Sequence, residues 1–252
     1  MLHREDRDGI AILRLAHGKA NAIDLELLAS LDAMLGSIAV SPARAAILTG
    51  SGNIFSAGVD LFRLLAEDAT YLERFLSQLD TTLRRLFTLP LPVVAAVNGH
   101  AIAGGAILAA ACDRRVAADG PFKLGVTELR VGVPFPTTAL EILRALLPAR
   151  ALADLVLSAR LVSPSEARQL GLVDELVTPE ALLGRAAAAA AELAAVPPGC
   201  FAATKQALRR PALERIDLTA PFDEPEVRRI WADPVTHGAI RAFLDQAIGK
   251  HG

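Results

Sequence analysis

The stretch from Pro90 to Cys112, PLPVVAAVNGHAIAGGAILAAAC, contains no Asp, Glu, Lys or Arg. A run this apolar is either buried on every side or crosses a membrane. Pro90, Pro92, Asn98, Gly99, Gly104 and Gly105 interrupt the uncharged segment from Leu86 to Cys112, whereas a membrane helix needs about 20 continuous apolar residues. The segment therefore reads as a buried strand (Val93 to Val97), a tight loop (Asn98 to Gly105) and a buried helix. A strand feeding a glycine loop that opens a helix leaves backbone N–H groups unpaired and pointing one way. That arrangement suits an anion or an oxyanion.

The 252 residues allow one large α/β domain, or a core with a small appendage. Apolar residues make up 52% and aromatics only 4%, so small side chains do most of the packing. A formal charge of −2, with Lys and Arg spread along the chain, gives no footprint for nucleic acid. Cys112 and Cys200 supply neither a disulfide framework nor a metal spacing. The charged start MLHREDRDG lacks a signal-peptide pattern. No membrane partner and a cytoplasmic location are the expectations.

Elsewhere the pattern alternates. Ile10 to Leu15 and Ala43 to Thr49 read as strands. Between them Asp24 caps a helix with apolar Leu25, Leu28, Leu31, Leu35 and Ile38. Gly50 to Asn53 form a turn cluster, and FSAGVDLFRLL leads into a long helix ending near Leu89. After the central stretch come short strands at Asp113 to Ala118 and Lys123 to Gly125. From Thr137 the chain is mainly helical. Ser163, Pro164 and Glu166 start a helix that stops at Gly171. Val173 to Val177 suits a short edge strand, and a helix begun near Pro179 carries Ala186 to Ala191. Separate helices are expected around Cys200 to Arg209, Glu224 to Ala232 and Val235 to Ile248. The repeated strand, glycine loop and helix argue for an α/β core built from crossovers.

Two loops stand out together, Phe55-Ser56-Ala57-Gly58-Val59-Asp60-Leu61 and Asn98-Gly99-His100-Ala101-Ile102-Ala103-Gly104-Gly105. In this order and separation they resemble the crotonase, or enoyl-CoA hydratase/isomerase, superfamily. KANAID, SPSEARQLGLVDELV and EVRRIWADPVTHGAIRAFLD extend the resemblance over almost the whole chain. It implies an α/β crotonase-like fold of repeated ββα units forming a spiral core over residues 1–195. It also implies a C-terminal helical trimerisation region over residues 196–252. An acyl-CoA thioester substrate, a homotrimer or dimer of trimers, and no cofactor beyond the CoA moiety follow from the same likeness.

The resemblance assigns roles residue by residue. The N–H groups of Val59 and Gly104 would form an oxyanion hole for the thioester, and losing one such donor elsewhere costs about 3 kcal/mol. Glycine at 104 allows close backbone approach. Lys19, Ala20, Ala22, Ala57, Asp60, Leu61 and Lys205 would bind CoA, with the Ala57 carbonyl toward the adenine. For Lys19 an ordinary solvated role competes, and Asp60 suits fixing its own loop. Phe62, Gly105, Ile107, Val131, Gly132 and Phe135 would line the acyl pocket.

Hydratases of this family hold water with two glutamates. The first falls where this chain has Ile107, which holds neither proton nor water. The second aligns with Glu128, in LGVTELRVGVPF. One carboxylate in an apolar pocket resembles the monofunctional enoyl-CoA isomerases, which move the double bond of a 3-enoyl-CoA to the 2-position. Two alternatives stand beside this. One is a hydratase or related lyase using Glu128 plus a recruited group, and the other is a CoA-thioester-binding protein with little catalysis. Glu67, Glu73, His100 and Glu141 are the candidates for recruitment, each with an ordinary structural role as the competing reading.

Overall fold

The computed structural model describes residues 2–248. The chain opens on a hairpin of β1 (Leu2–Arg7) and β2 (Ile10–Leu15), antiparallel with Arg7 opposite Ile10. Its turn is Asp8-Gly9, both at positive φ, the two-residue connection whose twist matches the strands. The sequence reading has no strand before Ile10. LHREDR lacks a buried face because β1 is a sheet edge, and charge on an edge discourages pairing with other chains.

Helix α1 (Leu25–Ala39) starts where expected, with the Asp24 carboxylate accepting the Leu27 N–H at 2.8 Å. Three strand–strand–helix units follow. The first is β3 (Ala45–Thr49), β4 (Ile54–Ser56), α2 (Leu61–Ala66) and α3 (Ala69–Thr88). The second is β5 (Val93–Val97), β6 (His100–Ile102) and α4 (Gly104–Ala111). The third is β7 (Arg114–Ala118), β8 (Leu124–Gly125) and α5 (Glu128–Val131). The loop expected over 98–105 thus contains β6, a strand too short to show a period of two. Then come α6 (Thr137–Leu146), α7 (Ala149–Ser158), α8 (Pro164–Leu170), β9 (Glu175–Val177), α9 (Leu182–Ala194), α10 (Pro198–Trp231) and α11 (Pro234–Ile248).

The larger sheet has the order β1-β2-β3-β5-β7-β9, parallel from β2 onward. The smaller sheet is β4-β6-β8, also parallel. Each unit therefore places one strand in each sheet before its helix, the spiral of ββα units that the family resemblance implied. β5 is buried on both faces, which is why it reads as an unbroken apolar run. Val93, Ala95 and Val97 face the main core with α1, α3 and α4, while Val94 and Ala96 face Ala186, Ala189 and Ala190 of α9.

Two helices expected at 200–209 and 224–232 are one, the 34-residue α10, with Pro211, Pro221 and Pro225 inside it. Each proline removes a helix hydrogen bond. Packing of Ala212, Ile216, Val227 and Trp231 against α6 and α3 holds the helix together regardless.

Helix α10 is also tied to the far end of α4. Arg209 donates to the Ala111 and Cys112 carbonyls and to Asp113, and Arg115 donates to the Cys112 carbonyl. Cations at the C-terminus of α4 complement its dipole and satisfy its last carbonyls. Its N-terminus points the other way, into the site.

Candidate active site

The two glycine loops meet at the N-terminus of α4. A Cβ on Gly58 (φ +85°) would stand 2.8 Å from the Ile102 carbonyl and 3.1 Å from the Gly104 nitrogen. A Cβ on Gly105 would stand 2.3 Å from the Ser56 carbonyl. Only glycine permits this approach. The first loop is latched from behind by Asn21, which is 2% exposed. Its amide donates to the Ile54 and Phe55 carbonyls, and Ser56 Oγ donates to the Asn21 carbonyl. Nothing in the sequence singled out Asn21, because an Asn in a loop is common.

The two candidate donors are left free. Ile23 N–H bonds to Gly58 O at 2.8 Å and Asp60 N–H to Ile23 O at 2.9 Å. Val59 N–H, between them, has no partner among the described residues. Gly104 is the first residue of α4, so its N–H has no acceptor within the helix. Ala103, just before it, sits at φ 49°, ψ −124°. A side chain there costs about 1–3 kcal/mol. This strained turn sets the direction of the Gly104 N–H.

A cavity of about 210 Å³ opens beside these donors. Val59, Gly104, Ile107, Glu128, Val131 and Leu61 all line it. Ala57 lies at its mouth, exposed, with its N–H bonded to Ala20 O. Through that bond the loop carrying exposed Lys19 and half-buried Ala20 and Ala22 borders the entrance. Asp60 is the N-cap of α2, its carboxylate accepting the Arg63 N–H at 2.9 Å.

Glu128 begins the four-residue α5, which ends in the left-handed turn at Gly132. It is 7% exposed, and its Oε2 has no hydrogen-bond partner among the described residues. Burial pushes its carboxyl up to about 7, and the backbone N–H groups of Glu128 and Thr127 offset this only in part. Among the described residues it is the only ionisable side chain lining the cavity.

Several expected site residues lie elsewhere. Lys205 is 5% exposed and committed to Asp113 at 2.7 Å and the Leu91 carbonyl at 3.2 Å. It stands at the C-terminal end of α4, about 12 Å from the N-terminal end at 1.5 Å per residue. Within this chain it is a buried ion pair, far from the entrance. Phe62 is 60% exposed and is not part of the cavity lining. Phe135 lines a separate groove between α6 and α10. Gly105 packs against Ser56 and Gly132 against Ala239, so neither forms cavity wall.

The walls that sequence reading missed are Leu79, Leu83, Val133, Ala139, Trp231 and Phe243. They come from four helices and the turn after α5, and only their convergence in space marks them. The candidates for recruitment are occupied elsewhere. Glu141 pairs with Arg144 and Arg215, Glu67 with Arg63, and Glu73 with Arg228. His100 Nδ1 accepts the Lys123 N–H. Among the described residues no cluster of three His, Cys, Asp or Glu side chains is placed to hold a metal, and no single helix is long and apolar enough to cross a membrane.

Comparison with known proteins converges on one family. The family described as enoyl-CoA hydratase/isomerase matches residues 5–222. A putative enoyl-CoA hydratase of Thermus thermophilus is 39% identical over 236 residues, 90% of this chain and 91% of that protein. The human mitochondrial enoyl-CoA delta isomerase 1 is 29% identical over 97% of this chain and 82% of its own length. The crystal structure of human mitochondrial delta3-delta2-enoyl-CoA isomerase superposes with a TM-score of 0.94 at 25% identity, covering 100% of this chain and 99% of that one. With its spiral of ββα units and a family match spanning most of its length, this chain belongs to the enoyl-CoA hydratase/isomerase family.

Proposed function

We propose that this family enzyme shifts the double bond of a 3-enoyl-CoA to the 2-position, with Glu128 as the single proton carrier. The ionised carboxylate takes a proton from C2 of the substrate. The electrons move into the thioester, forming a dienolate whose oxygen is held by the Val59 and Gly104 N–H groups. Such preorganised donors act where the charge develops. The protonated Glu128 then returns the proton to C4, leaving the double bond between C2 and C3. One proton moves and no other group is consumed.

The observation that carries this reading is the isolation of Glu128. Among the described residues its carboxylate is the cavity's only ionisable side chain, and a carboxyl held at about 7 both accepts and returns a proton near neutrality. Ile107 fills the position from which a second glutamate would hold water, and an apolar wall there shields the dienolate. The test offers the protein 3-hexenoyl-CoA and crotonyl-CoA and follows both products. Isomerisation without hydration supports the proposal. Hydration that survives Glu128→Gln would sink it.

Hydration is the second reading, favoured by the name of the Thermus relative. It requires Glu128 alone to activate water. For the CoA moiety, Lys19, Ala20, Ala22, Ala57, Asp60 and Leu61 remain the proposed contacts. Exposed Leu208, Leu218 and Phe222 on α10 support the proposal that copies of the chain associate as a trimer or a dimer of trimers. Light scattering of the purified protein tests that.

A further inference from the structure

The dimensions of the cavity carry an inference about the substrate. A cavity of about 150 Å³ takes the six carbons of benzene, so one of 210 Å³ takes about eight non-hydrogen atoms. The thioester sulfur and oxygen use two of these, which leaves about six acyl carbons.

The deep wall is built to stay where it is. Leu83, Ala139 and Trp231 line the cavity and are 1%, 1% and 2% exposed. Trp231 ends α10 and is held at two points, its indole and its backbone carbonyl. The Nε1–H donates to the Pro134 carbonyl at 3.0 Å, in the turn just beyond Glu128. The Trp231 carbonyl accepts from His237 Nε2 at 3.0 Å, at the start of α11. A ring held at both its tip and its backbone does not swing aside for a longer chain without breaking these bonds.

We propose that Trp231 sets the acyl-length limit, and that the substrates are short-chain acyl-CoA thioesters of about six carbons. This rests on the acyl-CoA reading of the site, not on which reaction follows binding. The C-terminal helices thereby act on selectivity: the residue that measures the acyl chain comes from the far end of the sequence, and it is anchored to the turn that follows the proton carrier.

The test is calorimetric binding of saturated butanoyl-, hexanoyl-, octanoyl- and decanoyl-CoA, none of which has a double bond to move. In the unaltered protein, affinity peaks near hexanoyl-CoA, and decanoyl-CoA binds at least about tenfold more weakly. Trp231→Ala recovers decanoyl-CoA binding by a similar factor and leaves butanoyl-CoA little changed. Trp231→Phe keeps a smaller aromatic ring but loses the hydrogen bond to Pro134, and it relaxes the limit less than Trp231→Ala does.

Equal or tighter binding of decanoyl-CoA by the unaltered protein overturns the proposal, as does a Trp231→Ala change that is uniform across chain lengths. If Trp231→Ala does not fold, Leu83→Ala opens the same wall from α3, and an unchanged profile there overturns it. Failure of the isomerase reading would appear in the product assay with this binding profile intact. Failure to bind any acyl-CoA would remove both.

Discussion

Replacing Glu128 by Gln separates what the carboxylate does for chemistry from what it costs the fold. The carboxyl is buried, its Oε2 is unpartnered, and its pKa rises from 4.5 to about 7. Burial favours the neutral form, so the stability that form contributes is fully present below about 4.5 and is lost as pH rises through about 7. At about 1.4 kcal/mol per pH unit, the loss amounts to about 3 kcal/mol between pH 4 and pH 8. Glutamine has nearly the same shape and stays neutral throughout. Urea denaturation of both proteins from pH 4 to pH 8 should therefore give curves that diverge with rising pH. The variant's relative stability should gain about 3 kcal/mol across that range. Any constant cost of an unpaired amide cancels in this comparison. The same substitution should lower turnover by at least about 10²-fold, the usual contribution of a positioned acid or base. Parallel stability curves would mean that Glu128 is solvated and ordinary, and the argument from its isolation would fail.

Other perturbations reach other parts of the account. In the unaltered enzyme, kcat/KM should rise with pH and level off above about 7, because the ionised Glu128 begins the reaction; a rate that falls across that range would contradict the assignment. Ala103→Gly should raise stability by about 1 kcal/mol in thermal melts, since relief of the strained φ outweighs glycine's entropy cost. Asn21→Ala should cost about 2–3 kcal/mol by leaving buried carbonyls unpaired, and should lower kcat because the Val59 loop loosens. Lys205→Met should cost about 3 kcal/mol by breaking a buried ion pair. It should leave the Kd for an acyl-CoA unchanged in the monomer's own site; a selective loss of CoA affinity would restore Lys205 as a ligand.

The parts of this molecule that could be read from the chain are those whose chemistry is local. The strand, glycine loop and helix at 93–111 announce themselves because burial on both faces removes every charge and a close approach demands glycine. The caps at Asp24 and Ser163 do so because one side chain satisfies one turn. Glu128 needed the family resemblance, since nothing in a single charged residue says that it is buried. β1 escaped because an exposed edge strand has no apolar face, although Asp8-Gly9 is a hairpin signal that would have found it. Lys205 was misplaced because a lysine's partner, here Asp113, lies 92 residues away. Trp231 and Phe243 were missed for the same reason. They join the cavity only because α10 stays continuous through three prolines, an outcome set by packing against α6 and α3.

The most direct test of the single-carboxylate shuttle is the fate of the proton itself. The protein is given 3-hexenoyl-CoA carrying deuterium at C2, and the products are analysed by nuclear magnetic resonance. The account predicts 2-hexenoyl-CoA as the main product, with deuterium carried to C4 by Glu128. A main product of 3-hydroxyhexanoyl-CoA, or label transfer undiminished in Glu128→Gln, would contradict it.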